Sequence, residues 1–196
     1  AAFLSQGFAW ALAAYLATTL AYSFKLKAIP FLDVTVLAWL YTLRLIMGAT
    51  LALAPASNWL LTFSMFFFFS LSLAKRHVEL AVAPPPLEAR GVPGRGYFPS
   101  DLPLTLAFGV SSAVASLLIL ILYLMNEAFP AQVYRAPHVL WLVVPMIGLW
   151  SMRIWFLAHR GRLDDDPVAF AVKDPISLAL GIALAGAGRP VVIFRN

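Results

Sequence analysis

The sequence predicts an all-α fold: a polytopic transmembrane helix bundle with about six spans present. Three observations predict it. Of the 196 residues, 62% are hydrophobic and 12% charged, whereas soluble domains run near half apolar and a quarter charged. The apolar residues fall into runs of about 20, the length that crosses a hydrocarbon core. The basic residues gather in alternate connections between those runs, as in membrane proteins sorted by charge. A soluble core of this size cannot hide so much apolar surface, and disorder is excluded by the same composition. With no Cys, disulfides and thiolate metal sites are excluded as well.

The spans are predicted at roughly 1–21, 33–54, 58–80, 102–126, 138–158 and 175–193, all within one transmembrane domain covering 1–196. The first run is apolar from its start and lacks a basic leader, so it does not read as a signal peptide. Without an initiator Met, the sequence is expected to begin part-way through a longer protein. Pro30 precedes the second span and Pro55-Ala-Ser-Asn58 the third. Pro103 falls in the first turn of the fourth, where its missing N–H is tolerated. Pro137 opens the fifth. Asp174-Pro175 opens the sixth as N-cap and first helical residue, although Gly186, Gly188 and Pro190 thin that span. The stretch 81–100, rich in Ala, Pro and Gly, is the longest polar connection.

Charge sorts by side. Lys25 and Lys27 follow the first span, Lys75, Arg76, Arg90 and Arg95 the third, and Arg160, Arg162 and Lys173 the fifth. Of the basic residues, the opposite connections hold only Arg135. The basic side is the cytoplasmic one, which turns both ends of the chain outward. An integral protein of a bacterial inner membrane, with its working face in the cytoplasm, is expected. Asp33, Glu79, Glu88, Asp101, Asp164, Asp165, Asp166 and Asp174 lie on that same side. Dense mixed charge on one rim exceeds what orientation requires and reads as a site.

Tyr22, Lys25 and Lys27, followed by Asp33 at a helix start, can hold a diphosphate, because ammonium groups and unpaired backbone N–H groups both favour anions. The same lysines also serve as topology determinants, with Tyr22 as an interfacial anchor. Lys75-Arg76-His77-Val-Glu79 offers cations for phosphate and one carboxylate for a metal or a proton. Lys75 and Glu79 share a helix face, and the bland reading is a snorkelling helix end. Arg95-Gly-Tyr97 and Asp101 can fold back over the same mouth. Asp164-Asp165-Asp166 between arginines can ligate a divalent cation or salt-bridge locally. Arg44 lies eleven residues, about 16 Å, beyond Asp33, and Arg153 about 10 Å inside Arg160. At such depth each is expected to face the bundle or a wet cavity, against an anionic substrate or an internal carboxylate. P-loop, dinucleotide, nucleophile-elbow and zinc-protease motifs are missing. No basic groove with stacking aromatics suggests nucleic acid.

In order along the chain, Tyr22-Ser-Phe-Lys-Leu-Lys27, Leu32-Asp33-Val34, Leu40-Tyr41-Thr-Leu-Arg44 through Gly48, Lys75-Arg76-His77-Val-Glu79-Leu80 and Arg95-Gly-Tyr97 form one set. Ala158-His-Arg-Gly161, Asp165-Asp-Pro-Val168 and Asp174 complete it. The set resembles the UbiA-type prenyltransferase superfamily over nearly the whole chain. It is closest to the branch with decaprenyl-phosphate phosphoribosyltransferase and 4-hydroxybenzoate polyprenyltransferase-like proteins. The resemblance implies a nine-helix bundle, of which these spans would be helices four to nine, with a lipid-open cavity and Mg²⁺ bridging aspartates and a diphosphate. It further implies that Tyr22 and Lys27 hold the diphosphate, and that Lys75, Arg76 and Glu79 occupy the second aspartate-rich motif. The first such motif occurs nowhere here, so the main Mg²⁺ ligands are expected upstream and this piece alone is expected to lack a complete Mg²⁺ site. Lys75 through Glu79 replaces paired aspartates, and His77 stands where the phosphoribosyl branch shows Tyr.

The expected function is therefore Mg²⁺-dependent transfer on a polyprenyl (di)phosphate, with diphosphate as leaving group and a second small-molecule substrate. Phosphoribosyl transfer from phosphoribosyl diphosphate to a polyprenyl phosphate is the alternative. Asp33, Arg44 and Glu79 are the catalytic candidates. Tyr22, Lys25, Lys27, Lys75, Arg76, Tyr97 and Arg153 are the diphosphate-binding candidates, and Glu79 and Asp101 are candidate metal ligands. An anion or lipid transporter, with Arg44 and Arg153 lining a pathway, is the competing class, although no inverted repeat or mid-membrane helix break supports it.

Overall fold

A computed structural model describes residues 6–52, 54–82, 91–92, 94–131, 137–163, 167, 170, 174–175 and 177–178. Among these residues the chain is helical and holds no strand. The helices are α1 (Gln6–Phe24), α2 (Leu32–Leu51), α3 (Asn58–Ala81), α4 (Leu102–Tyr123) and α5 (Val143–His159). Among the described residues four segments are long and apolar enough to cross a membrane: α1, α2, Pro99–Ala128 and Val139–His159. Third of the expected spans, α3 has the length, but Ser64, Ser70 and Ser72 and the charged end at Lys75, Arg76 and Glu79 dilute it. Most of the sixth expected span, with the Asp164–Asp166 run, Glu88, Arg90, Arg135 and Lys173, lies outside the described residues.

The ends of the helices follow from local chemistry. Ser57 caps α3 by accepting the Leu60 N–H at 3.1 Å, which satisfies one of the unpaired donors of the first turn. A 3-10 turn over Pro99–Asp101 leads into α4, where the Asp101 carboxylate accepts the Phe98 N–H at 2.9 Å. α1 extends three residues past its expected end, carrying Tyr22 inside the helix. The fourth span ends in a π-turn over Leu124–Ala128. Asp174 is the cap its sequence predicts: its Oδ2 accepts the Ser177 N–H at 2.8 Å and the Ser177 hydroxyl at 2.9 Å.

α3 is the hub, packing on α2, α4 and α5, while α1 packs against α2 and buries only Ala11. The apolar core joins Val34, Leu71, Leu73 and Ala74 to Ala113, Ile154, Trp155 and Ala158. In lipid, association between helices rests on close packing and interhelical hydrogen bonds, and both are visible here. Thr42 and Ser64 hydroxyls meet at 2.7 Å between α2 and α3. The Ser70 hydroxyl donates to the Gly109 carbonyl at 2.7 Å and accepts the Trp155 indole N–H at 3.0 Å, tying α3, α4 and α5 together. Gly109 is required there, because a Cβ would overlap the Trp155 ring. This clamp fixes the last turns of α3, which carry the site.

Candidate functional site

The ends of α1 and α3, the start of α2 and the segment returning to α4 converge at one end of the bundle. The centre of that end is an ion-pair network. Asp33, in the first turn of α2, is fully buried. Its Oδ2 accepts the Arg76 Nε–H at 2.8 Å, and its Oδ1 accepts the Tyr97 hydroxyl at 2.7 Å. Arg76, itself only 2% exposed, also donates through Nη1 to Glu79, one turn further along α3. Two carboxylates thus balance the guanidinium, as a charge withdrawn from water requires.

Tyr97 anchors the returning segment. Its ring is buried against Phe31, and its hydroxyl accepts the Phe31 N–H at 2.6 Å while donating to Asp33. Phe31 has φ 62°, a left-handed conformation that a bulky residue holds only when its surroundings fix it. Burial pushes the Tyr97 phenol above its ordinary range, and the hydrogen bond and charge of Asp33 reinforce the shift. The phenol therefore stays a neutral donor. Gly96, at φ 70°, brings the segment so close to Ala28 that a Cβ would overlap its carbonyl oxygen.

Beside this network lies a cavity of about 140 Å³. Tyr22, Tyr41, Phe68, Lys75, Arg76 and Arg95 line it, and the Arg95 guanidinium donates to the Tyr22 hydroxyl at 3.0 Å. Pockets for whole organic ligands run to several hundred Å³, so this one is sized for an anionic headgroup. Lys75 and Arg95 on an aromatic-walled hollow would attract an oxyanion, the Arg95 guanidinium through planar paired donors and the lysine as a point charge, while the charge of Arg76 is already balanced by Asp33 and Glu79.

Five sequence expectations need correction. Arg44 does not face the bundle: it is exposed, its Nη2 donates to the Tyr15 hydroxyl at 2.8 Å, and its guanidinium lies over the Tyr15 and Tyr41 rings. Its near-integral helical spacing from Asp33 did not carry it inward because α1 and α2 leave that flank uncovered. Lys25 and Lys27 are exposed around the 3-10 turn after α1 and do not line the cavity, so Tyr22 is paired with Arg95 and not with Lys27. Tyr97 and Asp33 sit behind the cavity wall with their polar atoms engaged, which makes them positioning residues for Arg76. Arg153 belongs to another seam, where its Nη2 meets Asp174 Oδ1 at 2.7 Å; an internal carboxylate is indeed its partner. Glu79 pairs with Arg76, not with Lys75 as the four-residue spacing suggests.

Arg95 is the wall residue that sequence reasoning underweighted. Its signal was the glycine pair Gly94 and Gly96 flanking it, both with positive φ, which lets a short segment turn back sharply. His77 is buried, its Nδ1 3.0 Å from the Thr105 hydroxyl, and packs against Trp155 and His159 away from the cavity. As for metal, Glu79 is held by Arg76 and Asp101 by the Phe98 amide. Among the described residues no group of three or more His, Asp or Glu side chains comes together. These residues do not by themselves fit a Mg²⁺ site.

No family model matches the chain, and no solved structure matches it. Two curated relatives do. An uncharacterized protein, y4nM of Sinorhizobium fredii, is 46% identical over 186 residues, covering 94% of this chain and 36% of that protein. The nodulation protein NoeC of Azorhizobium caulinodans is 34% identical over 180 residues, covering 88% of this chain and 56% of that protein. The chain therefore spans between about a third and somewhat over half the length of these relatives.

Proposed function

We propose that this chain forms the phosphate-gripping part of an intramembrane UbiA-type transferase that acts on a polyprenyl (di)phosphate and releases diphosphate at the cytoplasmic rim. The observation that carries the reading is the convergence of Lys75, Arg76 and Arg95 with Tyr22 on one headgroup-sized cavity at the end of an apolar bundle. A water-soluble anion reaches that end from the aqueous side, while an attached prenyl chain stays in the bilayer alongside the helices. In such a transfer the protein's largest contribution is to stabilise the charge developing on the leaving group with groups already in place. Asp33, Glu79 and Tyr97 hold the Arg76 guanidinium in one orientation, so little reorganisation is needed when the anion arrives.

A second donor chemistry is favoured by one feature. Among the described residues the two carboxylates nearest the cavity, Asp33 and Glu79, are paired with Arg76, an arrangement that suits phosphoribosyl transfer to a polyprenyl phosphate, where cations do more of the phosphate holding. Equilibrium binding in lipid nanodiscs tests the reading. Radiolabelled geranyl diphosphate should bind and be displaced by inorganic diphosphate, and displacement by phosphoribosyl diphosphate at far lower concentration than by inorganic diphosphate would select the second chemistry. Failure of all three anions to bind would remove the proposal.

A further inference from the structure

The exposed Arg44 points to an interaction surface outside the cavity, on the far side of Tyr41. It stands eleven residues beyond Asp33 and seven before Leu51, the last residue of α2. Those separations put it about 16 Å from one end of the helix and about 10 Å from the other, inside the hydrocarbon layer of a spanning α2. Its neighbours along α1 and α2 are lipid-compatible: Leu16, Leu45 and Leu51 are all exposed. The Tyr15 hydroxyl and the two tyrosine rings orient the guanidinium, but none of them is an anion. Charged side chains at that depth pair with an opposite charge or open onto water, and no carboxylate reaches this one among the described residues.

Among the described residues, a second copy of the chain does not offer the missing charge. Among the described acidic residues, Asp33, Glu79 and Asp174 are ion-paired and Asp101 caps a turn. Glu127 sits in the π-turn past the end of α4, too far along to meet mid-span Arg44. We infer that the α1–α2 face around Arg44 docks a further transmembrane helix, one that carries an Asp or Glu near its middle. The relatives leave room for such an element, since each is far longer than the stretch it shares with this chain. The tyrosine pair would then pre-orient Arg44 for a two-point contact with that carboxylate, the geometry arginine favours.

Photocrosslinking in native membranes tests this. A benzophenone amino acid at Leu45, beside Arg44, should capture a peptide containing an apolar run of about 20 residues interrupted by one central Asp or Glu. The same probe at Leu118, exposed on α4, serves as control and should give lipid adducts. Arg44→Leu should lower the Leu45 yield roughly five-fold, the scale of one interhelical polar contact, while Arg44→Lys should largely keep it. Changing the captured acid to its amide, with Arg44 intact, should reproduce the loss. Lipid adducts alone at Leu45, capture of α1 to α5 from a second copy, or a yield unchanged by both Arg44→Leu and the amide change would overturn the inference.

Discussion

Replacing Asp33 by Ala isolates the centre of the network. Asp33 is 0% exposed and its partner Arg76 2% exposed, so neither group recovers hydration when the other is removed. Breaking a buried pair by deleting one partner costs roughly 3–5 kcal/mol, because the remaining charge is left uncompensated. Here Glu79 still faces Arg76 and is 33% exposed, which places the expected loss at the low end, about 3 kcal/mol. Tyr97 loses its acceptor too, though its oxygen keeps the Phe31 amide. For a chain of this size each kcal/mol corresponds to roughly 2–4 °C, so Tm should fall by about 6–12 °C. Thermal unfolding in detergent micelles, followed by tryptophan fluorescence with size exclusion to exclude aggregation, reads this directly. The double variant Asp33→Ala/Arg76→Met should be more stable than the sum of its single changes predicts, since no orphan charge remains. A Tm drop below about 2 °C for Asp33→Ala would refute the reasoning, and so would strict additivity in the double variant.

Tyr97→Phe should cost about 1–3 kcal/mol in the same assay, because it leaves the Phe31 amide and one Asp33 oxygen without their partner. Its pH dependence has a definite sign. The folded phenol is shifted upward, so the stability it contributes is fully present below the unfolded value of about 10 and is lost as pH rises through the folded value. The gap between the native chain and Tyr97→Phe should therefore stay constant from about pH 6 to 9 and shrink only above about pH 10. Gly109→Ala should destabilise by roughly 1–3 kcal/mol through overpacking against Trp155, and a smaller side chain at Trp155 should recover part of that loss in a thermal scan. Arg95→Ala should lower diphosphate affinity about ten-fold while barely changing Tm, the pattern of a charge-assisted contact made to ligand and only weakly to the fold.

The helical fold was legible because a hydrocarbon solvent leaves few options: runs of about 20 apolar residues, bounded by Pro and by Lys or Arg, have little choice but helix. Helix starts were readable for the same local reason, as the break at Pro55-Ala-Ser-Asn58, Pro103 in a first turn and the Asp174 cap illustrate. Three-dimensional neighbourhood was not. The pairing of Asp33 with Arg76 spans 43 residues and that with Tyr97 spans 64, and no spacing rule reaches across two connections. Arg44 shows the limit most plainly. Helical periodicity placed it on the stripe of Asp33, yet whether a stripe is covered depends on which helices pack there, and α1 covers little. Arg95 was hidden by its position in a loop, where periodicity says nothing and only the flanking glycines hint at a turn.

The central claim is that anions are gripped in the cavity and not by the exposed rim. It is tested most directly by comparing two charge-matched variants: Lys75→Met/Arg95→Met inside the cavity and Lys25→Met/Lys27→Met outside it. Both remove two positive charges from the same end of the bundle, so long-range attraction falls equally. The account predicts that inorganic diphosphate affinity, measured by equilibrium dialysis, drops more than about ten-fold for the cavity pair and less than about three-fold for the rim pair. Equal losses in the two variants, or a larger loss at the rim, would contradict it.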